Sequence, residues 1–133
     1  MMRWVVTYLA TLAAICVLDA LWLGFVARDF YRGQIGALML ERPRWGAAGL
    51  FYAVYALATV FFAIAPAQDH GGWLRALMLG ALLGLFCYAT YDLTNLATLK
   101  GWSVAVAAAD IAWGIAVTAA ASMAGHAALR AMT

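Results

Sequence analysis

The chain has 133 residues, of which 68% are hydrophobic and 11% charged, and its mean hydropathy is +0.90. A soluble domain carries about 25% charged residues, and one this small could not bury so much apolar surface, so composition excludes a water-soluble globular fold and indicates a bilayer protein. The net charge of +2 arises from eight Lys/Arg against six Asp/Glu with no basic stripe, which excludes nucleic acid as a partner.

The first apolar run, residues 4–27, lies within MMRWVVTYLATLAAICVLDALWLGF. It is too long for the apolar core of a signal peptide and further runs follow it, so it reads as a first membrane helix. Residues 28–44 come next and carry Arg28, Arg32, Arg42 and Arg44 around the apolar stretch QIGALML. This segment is too short to cross a membrane. It reads either as an interfacial amphipathic helix, with Phe30, Tyr31, Ile35, Leu38 and Met39 toward the bilayer, or as a loop packed over the bundle. In the first case the arginines are candidate contacts for lipid phosphate. Pro43 ends any helix there.

Three more apolar runs follow: 46–65, 73–99 and 102–123. Each is near or above the roughly 20 residues that span a hydrocarbon core, where only helices satisfy the backbone of a single segment. The join APAQDHGG reads as a tight hairpin, and Lys100–Gly101 as a still tighter turn. The expected fold is all-α: one membrane domain, residues 1–133, built as an antiparallel bundle of four transmembrane helices. Trp4, Trp45, Trp73 and Trp102 stand at span starts, where indoles suit the headgroup layer. An even number of spans puts both termini on one face with Arg3, Arg75 and Arg130, against Arg28, Arg32, Arg42, Arg44 and Lys100 on the other. The positive-inside rule then assigns the termini to the non-cytoplasmic face.

Polar residues inside the spans are the candidates for function. Asp19, Asp92 and Asp110 lie on three different spans, each roughly 10–12 Å from the helix end nearest Lys100 at 1.5 Å per residue. A carboxylate facing acyl chains is costly, so the three are expected to converge inside the bundle or on a wet cavity. Asn95 sits one turn from Asp92, and Tyr88, Tyr91, Thr94, Thr98, Thr7 and Tyr8 are available as hydrogen-bonding partners. DALW at Asp19–Trp22 is echoed by DIAW at Asp110–Trp113, which adds Trp22 and Trp113 to the candidates and raises the possibility of an inverted repeat. The competing reading is that these groups only cross-link helices. Cys16 and Cys87 lack the spacing of a metal site, and His70 in a turn and His126 in the tail read as solvated. No metal site is expected, and nothing in the residues identifies a cofactor. Gly80 and Gly84, in GALLG, suit close helix packing.

DALWLGF, FYRGQIGALM, FYAVY, ADIAWG and above all YATYDLTNLATLKGW resemble the DUF2177 family of small bacterial membrane proteins, over nearly the whole chain. The resemblance implies a four-helix protein of the bacterial inner membrane, in a family with relatives encoded beside lipid-modifying and oxidative-stress genes. It carries over no activity or catalytic residue. Three functions stand open: handling a lipid or small ligand at the Asp/Asn/Tyr cluster, oligomeric ion- or proton-linked transport, and a structural role in a larger membrane complex. The first is preferred, with membrane lipids as partners.

Overall fold

The computed structural model describes all 133 residues and contains helices but no strand. Four helices are long and apolar enough to cross a membrane: α1 (Met2–Val26), α3 (Trp45–Asp69), α4 (Gly72–Thr98) and α5 (Val104–Ala131). A short helix, α2 (Arg28–Ile35), joins the first two.

Local chemistry sets the helix ends. The last turn of α1, Trp22–Val26, is π-helical, and the Ala27 N–H donates to the Trp22 carbonyl five residues back at 2.7 Å. A second π turn, Val60–Ile64, lies inside α3 just before Pro66. Proline offers no N–H and its ring crowds the carbonyl one turn earlier, so a widened turn absorbs the conflict. The helix therefore runs through Pro66 to Asp69, and the expected hairpin APAQDHGG shrinks to a turn at His70–Gly71. Gly71 and Gly72 there have φ of 85° and 55°, values that favour glycine. Ser103 caps α5, its Oγ accepting the Val106 N–H at 3.0 Å, so the turn after α4 is longer than Lys100–Gly101. The helix continues to Ala131 rather than stopping near Met123. His126 is consequently buried within α5, not solvated in a tail.

The connection between α1 and α3 combines both forms considered for it. It is helical to Ile35, passes through a 3-10 turn at Gly36–Leu38 and then runs as loop to Arg44. Of its apolar residues only Tyr31 is buried and Ile35 half-buried; Phe30, Leu38 and Met39 are exposed.

α5 lies at the centre, packed along both α4 and α1, while α3 packs on α1. α3 meets α4 chiefly through its π turn and the helical turn after it. These two helices, joined by the tightest turn in the chain, thus diverge from their hairpin toward the opposite end.

Apolar side chains gain little by leaving lipid for one another, so close van der Waals approach must hold the helices together. Glycine provides it between α4 and α5. A Cβ on Gly84 would overlap the Gly114 carbonyl, one on Gly80 would overlap Ser122, and one on Gly114 would enter the Tyr88 ring. The hydroxyls in this seam are satisfied locally: Thr118 and Ser122 each donate to the carbonyl four residues back at 2.7 Å. Large apolar residues such as Phe25, Leu50 and Phe61 point outward, as a lipid-facing surface allows.

Gly84→Ala is expected to destabilise the bundle by about 1–3 kcal/mol through overpacking. Gly49→Ala, where an added methyl meets nothing within 4 Å, should be neutral or slightly stabilising. Reversible unfolding of the two variants in mixed micelles checks the pair.

Candidate functional site

The divergence of α3 from α4 leaves a pocket of about 620 Å³ lined by 14 residues, 12 of them hydrophobic. α1 contributes Asp19 and Leu23, and α2 contributes Tyr31 and Ile35. α3 supplies Phe51, Tyr52 and Tyr55, and α4 supplies Cys87, Tyr88 and Tyr91. Trp102, Val106, Asp110 and Trp113 close the remaining wall. Phe51, Cys87 and Tyr91 are exposed and stand where α3 and α4 part, so the pocket opens sideways between these helices.

Asp19 is buried and accepts two hydrogen bonds from two other helices. The Trp113 indole N–H donates to Oδ1 at 2.7 Å, and the Tyr52 hydroxyl donates to Oδ2 at 2.9 Å. Asp110 is held from outside the four spans. The Tyr31 hydroxyl donates to its Oδ1 at 2.8 Å and itself accepts the Trp22 indole N–H at 3.2 Å. The Trp22 and Trp113 rings stack between the two arrangements, 4.6 Å apart and 4° from parallel.

The echo of DALW in DIAW thus has a structural counterpart that crosses between helices. The aspartate of the first motif accepts from the tryptophan of the second. The aspartate of the second reaches the tryptophan of the first through Tyr31, and the two indoles stack. Neither aspartate bonds the tryptophan of its own motif.

Asp92 adjoins Asp110 but does not line the pocket. It is fully buried and neither carboxyl oxygen has a hydrogen-bonding partner. The Trp102 indole N–H, also buried, lies beside it without forming a hydrogen bond. Asn95 is half-buried outside the pocket, whereas Tyr88 and Tyr91 line it. Thr94 and Thr98, offered by the sequence as partners for the carboxylates, are exposed and donate to carbonyls of their own helix. Thr7 does the same from α1, and the Tyr8 hydroxyl donates to the Ala53 carbonyl. Arg28, Arg32, Arg42 and Arg44 are all exposed and none lines the pocket.

Sequence reasoning missed Tyr52, Tyr55 and Trp102 as site residues, and it turned Tyr31 toward the bilayer, whereas Tyr31 lines the pocket and donates to Asp110. The FYAVY spacing carried a signal for the tyrosines: Tyr52 and Tyr55 are one helical turn apart and so share a face. Trp102 stands at the membrane edge by sequence, yet it folds inward and meets Tyr91 edge-on at 5.7 Å. No group of three or more His, Cys, Asp or Glu is arranged to hold a metal ion.

Among known proteins, a family model described as predicted membrane protein (DUF2177) matches residues 4–127, nearly the whole chain. The chain belongs to that family. No curated protein and no solved structure matches it.

Replacing Asp19 by Leu strands the Trp113 and Tyr52 donors together, at about 1–3 kcal/mol for each buried donor left unpaired. Asp19→Asn keeps one acceptor oxygen and should fall between Leu and the native residue. Unfolding midpoints in mixed micelles should rank the three proteins in that order.

Proposed function

We propose that this DUF2177 membrane protein takes an amphiphile, a lipid or a small lipid-like molecule, sideways from the bilayer into the pocket between α3 and α4. The observation that carries the reading is the opening of an aromatic pocket between two membrane-spanning helices, with two carboxyls in its wall. The volume, about 620 Å³, falls in the range of small-molecule sites. An apolar lining with a few fixed polar groups is also the usual composition of such sites. The apolar part of the ligand would lie against Phe51 and Tyr91, and its polar end would reach Asp19 and Asp110.

A proton- or ion-linked transport role draws on a different observation, the fully buried and unpartnered Asp92. Such a group inside a membrane is a common mark of an ion pathway. Flux across proteoliposomes that disappears in Asp92→Asn would favour that role over ligand handling.

The reading also has an address. The protein would sit in the inner membrane of a bacterium with both termini outside the cytoplasm, because five of its eight Lys/Arg lie at the other end of the bundle. Alkaline phosphatase fused after Thr133 is then active, and an inactive fusion that is stably made reverses the orientation.

Mass spectrometry of lipids and small molecules retained by the purified protein tests the pocket. Cys87→Trp puts bulk at the mouth, on the exposed side of the lining. Retention of the bound species should drop to about a tenth or less, a loss of at least 1.4 kcal/mol in binding. Equal retention by the native and Cys87→Trp proteins rejects the lateral pocket as the binding site.

A further inference from the structure

We propose that the pocket selects an organic ammonium group carried on an apolar chain, an inference that rests on the pocket being a ligand site. Its wall contains two carboxyls, Asp19 and Asp110, and no Lys, Arg or His. A third carboxyl, Asp92, adjoins Asp110, fully buried and with both oxygens unpartnered. The only side chains that donate to Asp19 and Asp110 are Tyr52, Trp113 and Tyr31. Phenol and indole donors stabilise a carboxylate without cancelling its charge. The protein places no cation in the pocket, so an incoming ammonium provides the counter-charge that a low-dielectric site lacks.

The hydrogen-bond inventory agrees with the charge. Asp110 accepts from Tyr31 through Oδ1, and its carboxyl stands within hydrogen-bonding reach of the Asp92 carboxyl. Together the pair holds more acceptor oxygens than the protein has donors for, as an ammonium N–H requires. The Tyr31 hydroxyl is committed on both sides, donating to Asp110 and accepting from Trp22, and the Tyr52 hydroxyl donates to Asp19. The donors left in the wall, the Trp102 indole N–H and the Tyr88 and Tyr91 hydroxyls, are all uncharged, so an anionic head would meet carboxylates and no cation.

The rest of the wall fits the same class of ligand. Eight of its 14 residues are aromatic: five tyrosines, two tryptophans and Phe51. Ring faces attract a cation through their quadrupole and repel an anion, and the attraction strengthens where water is excluded. The arginines that suggest phosphate recognition from sequence, Arg28, Arg32, Arg42 and Arg44, lie outside the pocket, so phosphate chemistry and the pocket are spatially separate.

Three probes with the same eight-carbon chain separate the possibilities: octylamine, 1-octanol and octyl phosphate. Each is titrated into the native protein in nanodiscs of zwitterionic lipid, with tryptophan fluorescence and native mass spectrometry as readouts. Empty nanodiscs of the same lipid correct for partition into the bilayer, and Asp110→Asn, which keeps an acceptor for the Tyr31 hydroxyl, is run in parallel. Octylammonium should bind about tenfold or more tighter than octanol, octyl phosphate should bind weakest, and the ammonium advantage should collapse in Asp110→Asn. Octanol binding as tightly as octylammonium, or octyl phosphate binding tighter, overturns the ammonium selection and leaves the pocket as a ligand site. Binding by none of the three overturns both. If Asp110→Asn does not fold, the ranking of the three probes on the native protein decides alone.

Discussion

A single buried carboxylate, Asp19, ties three spans together. It sits on α1 and accepts from Tyr52 on α3 and Trp113 on α5. In lipid the alternative to these bonds is an unsatisfied charged group, so the three helices are constrained to meet at this depth. The consequences extend through the upper half of the bundle, the end away from the His70–Gly71 turn. Fixing Trp113 fixes the stacked Trp22, and Trp22 in turn donates to Tyr31. Tyr31 is the buried residue of α2, so the short connecting helix is docked against α5 through Asp110.

The lower half of the bundle is held in a different way. Around Gly80 and Gly84 the backbones of α4 and α5 approach closely, and the hydroxyls of Thr118 and Ser122 turn back on their own helix; Gly114 continues the seam into the aromatic layer, against Tyr88. One polar bond does reach across this region, between Tyr55 and Thr118 at 2.7 Å. α3 joins the lower half through its π turn, whose place is dictated by Pro66. The fold is thus a close-packed glycine seam beneath a hydrogen-bonded aromatic layer. Polar contacts between helices in membranes are worth only about 0.6 kcal/mol each on average, so the seam is the better candidate for bulk stability and the upper layer for geometry.

Much of this was legible in the sequence. Four apolar runs of sufficient length specify four helices, since lipid leaves the backbone no other single-segment solution. The same cost argument placed Asp19 and Asp110 in the interior, where they line one pocket. Helix ends were less legible. The span containing Pro66 was expected to stop before it, because one-dimensional reading cannot foresee a π turn that lets proline stay in a helix. The span containing His126 was expected to stop near Met123, because hydropathy falls before helicity does. Residues whose role depends on how two helices face each other were the hardest. Tyr52 and Tyr55 look like ordinary bilayer aromatics until α1 and α5 are placed beside them. Thr94 and Thr98 look like partners for Asp92 until their outward orientation is known.

The pocket itself follows from residue size. Nearer the hairpin, α3, α4 and α5 present Thr59, Ala63, Gly80, Gly84, Thr118 and Ser122, all small enough for close approach. Toward the other end the same helices present Phe51, Tyr52, Tyr88, Tyr91 and Trp113, which cannot interdigitate at that spacing. Two helices anchored by a short turn and carrying small residues below and large ones above must splay, and the gap opens where the large residues begin. The aromatic rings that force α3 from α4 are therefore the rings that line the space between them. The rings support one another around the gap, Phe51 on Tyr55, Tyr55 edge-on to Tyr88 and Tyr91 edge-on to Trp102, so a ligand enters a preformed space. The carboxyls lie at the inner limit of this wedge because Asp19 and Asp110 belong to α1 and α5, which pack together behind the gap between α3 and α4. Charge at the back, aromatic faces at the sides and lipid at the mouth are thus three results of one gradient in side-chain size along the bundle.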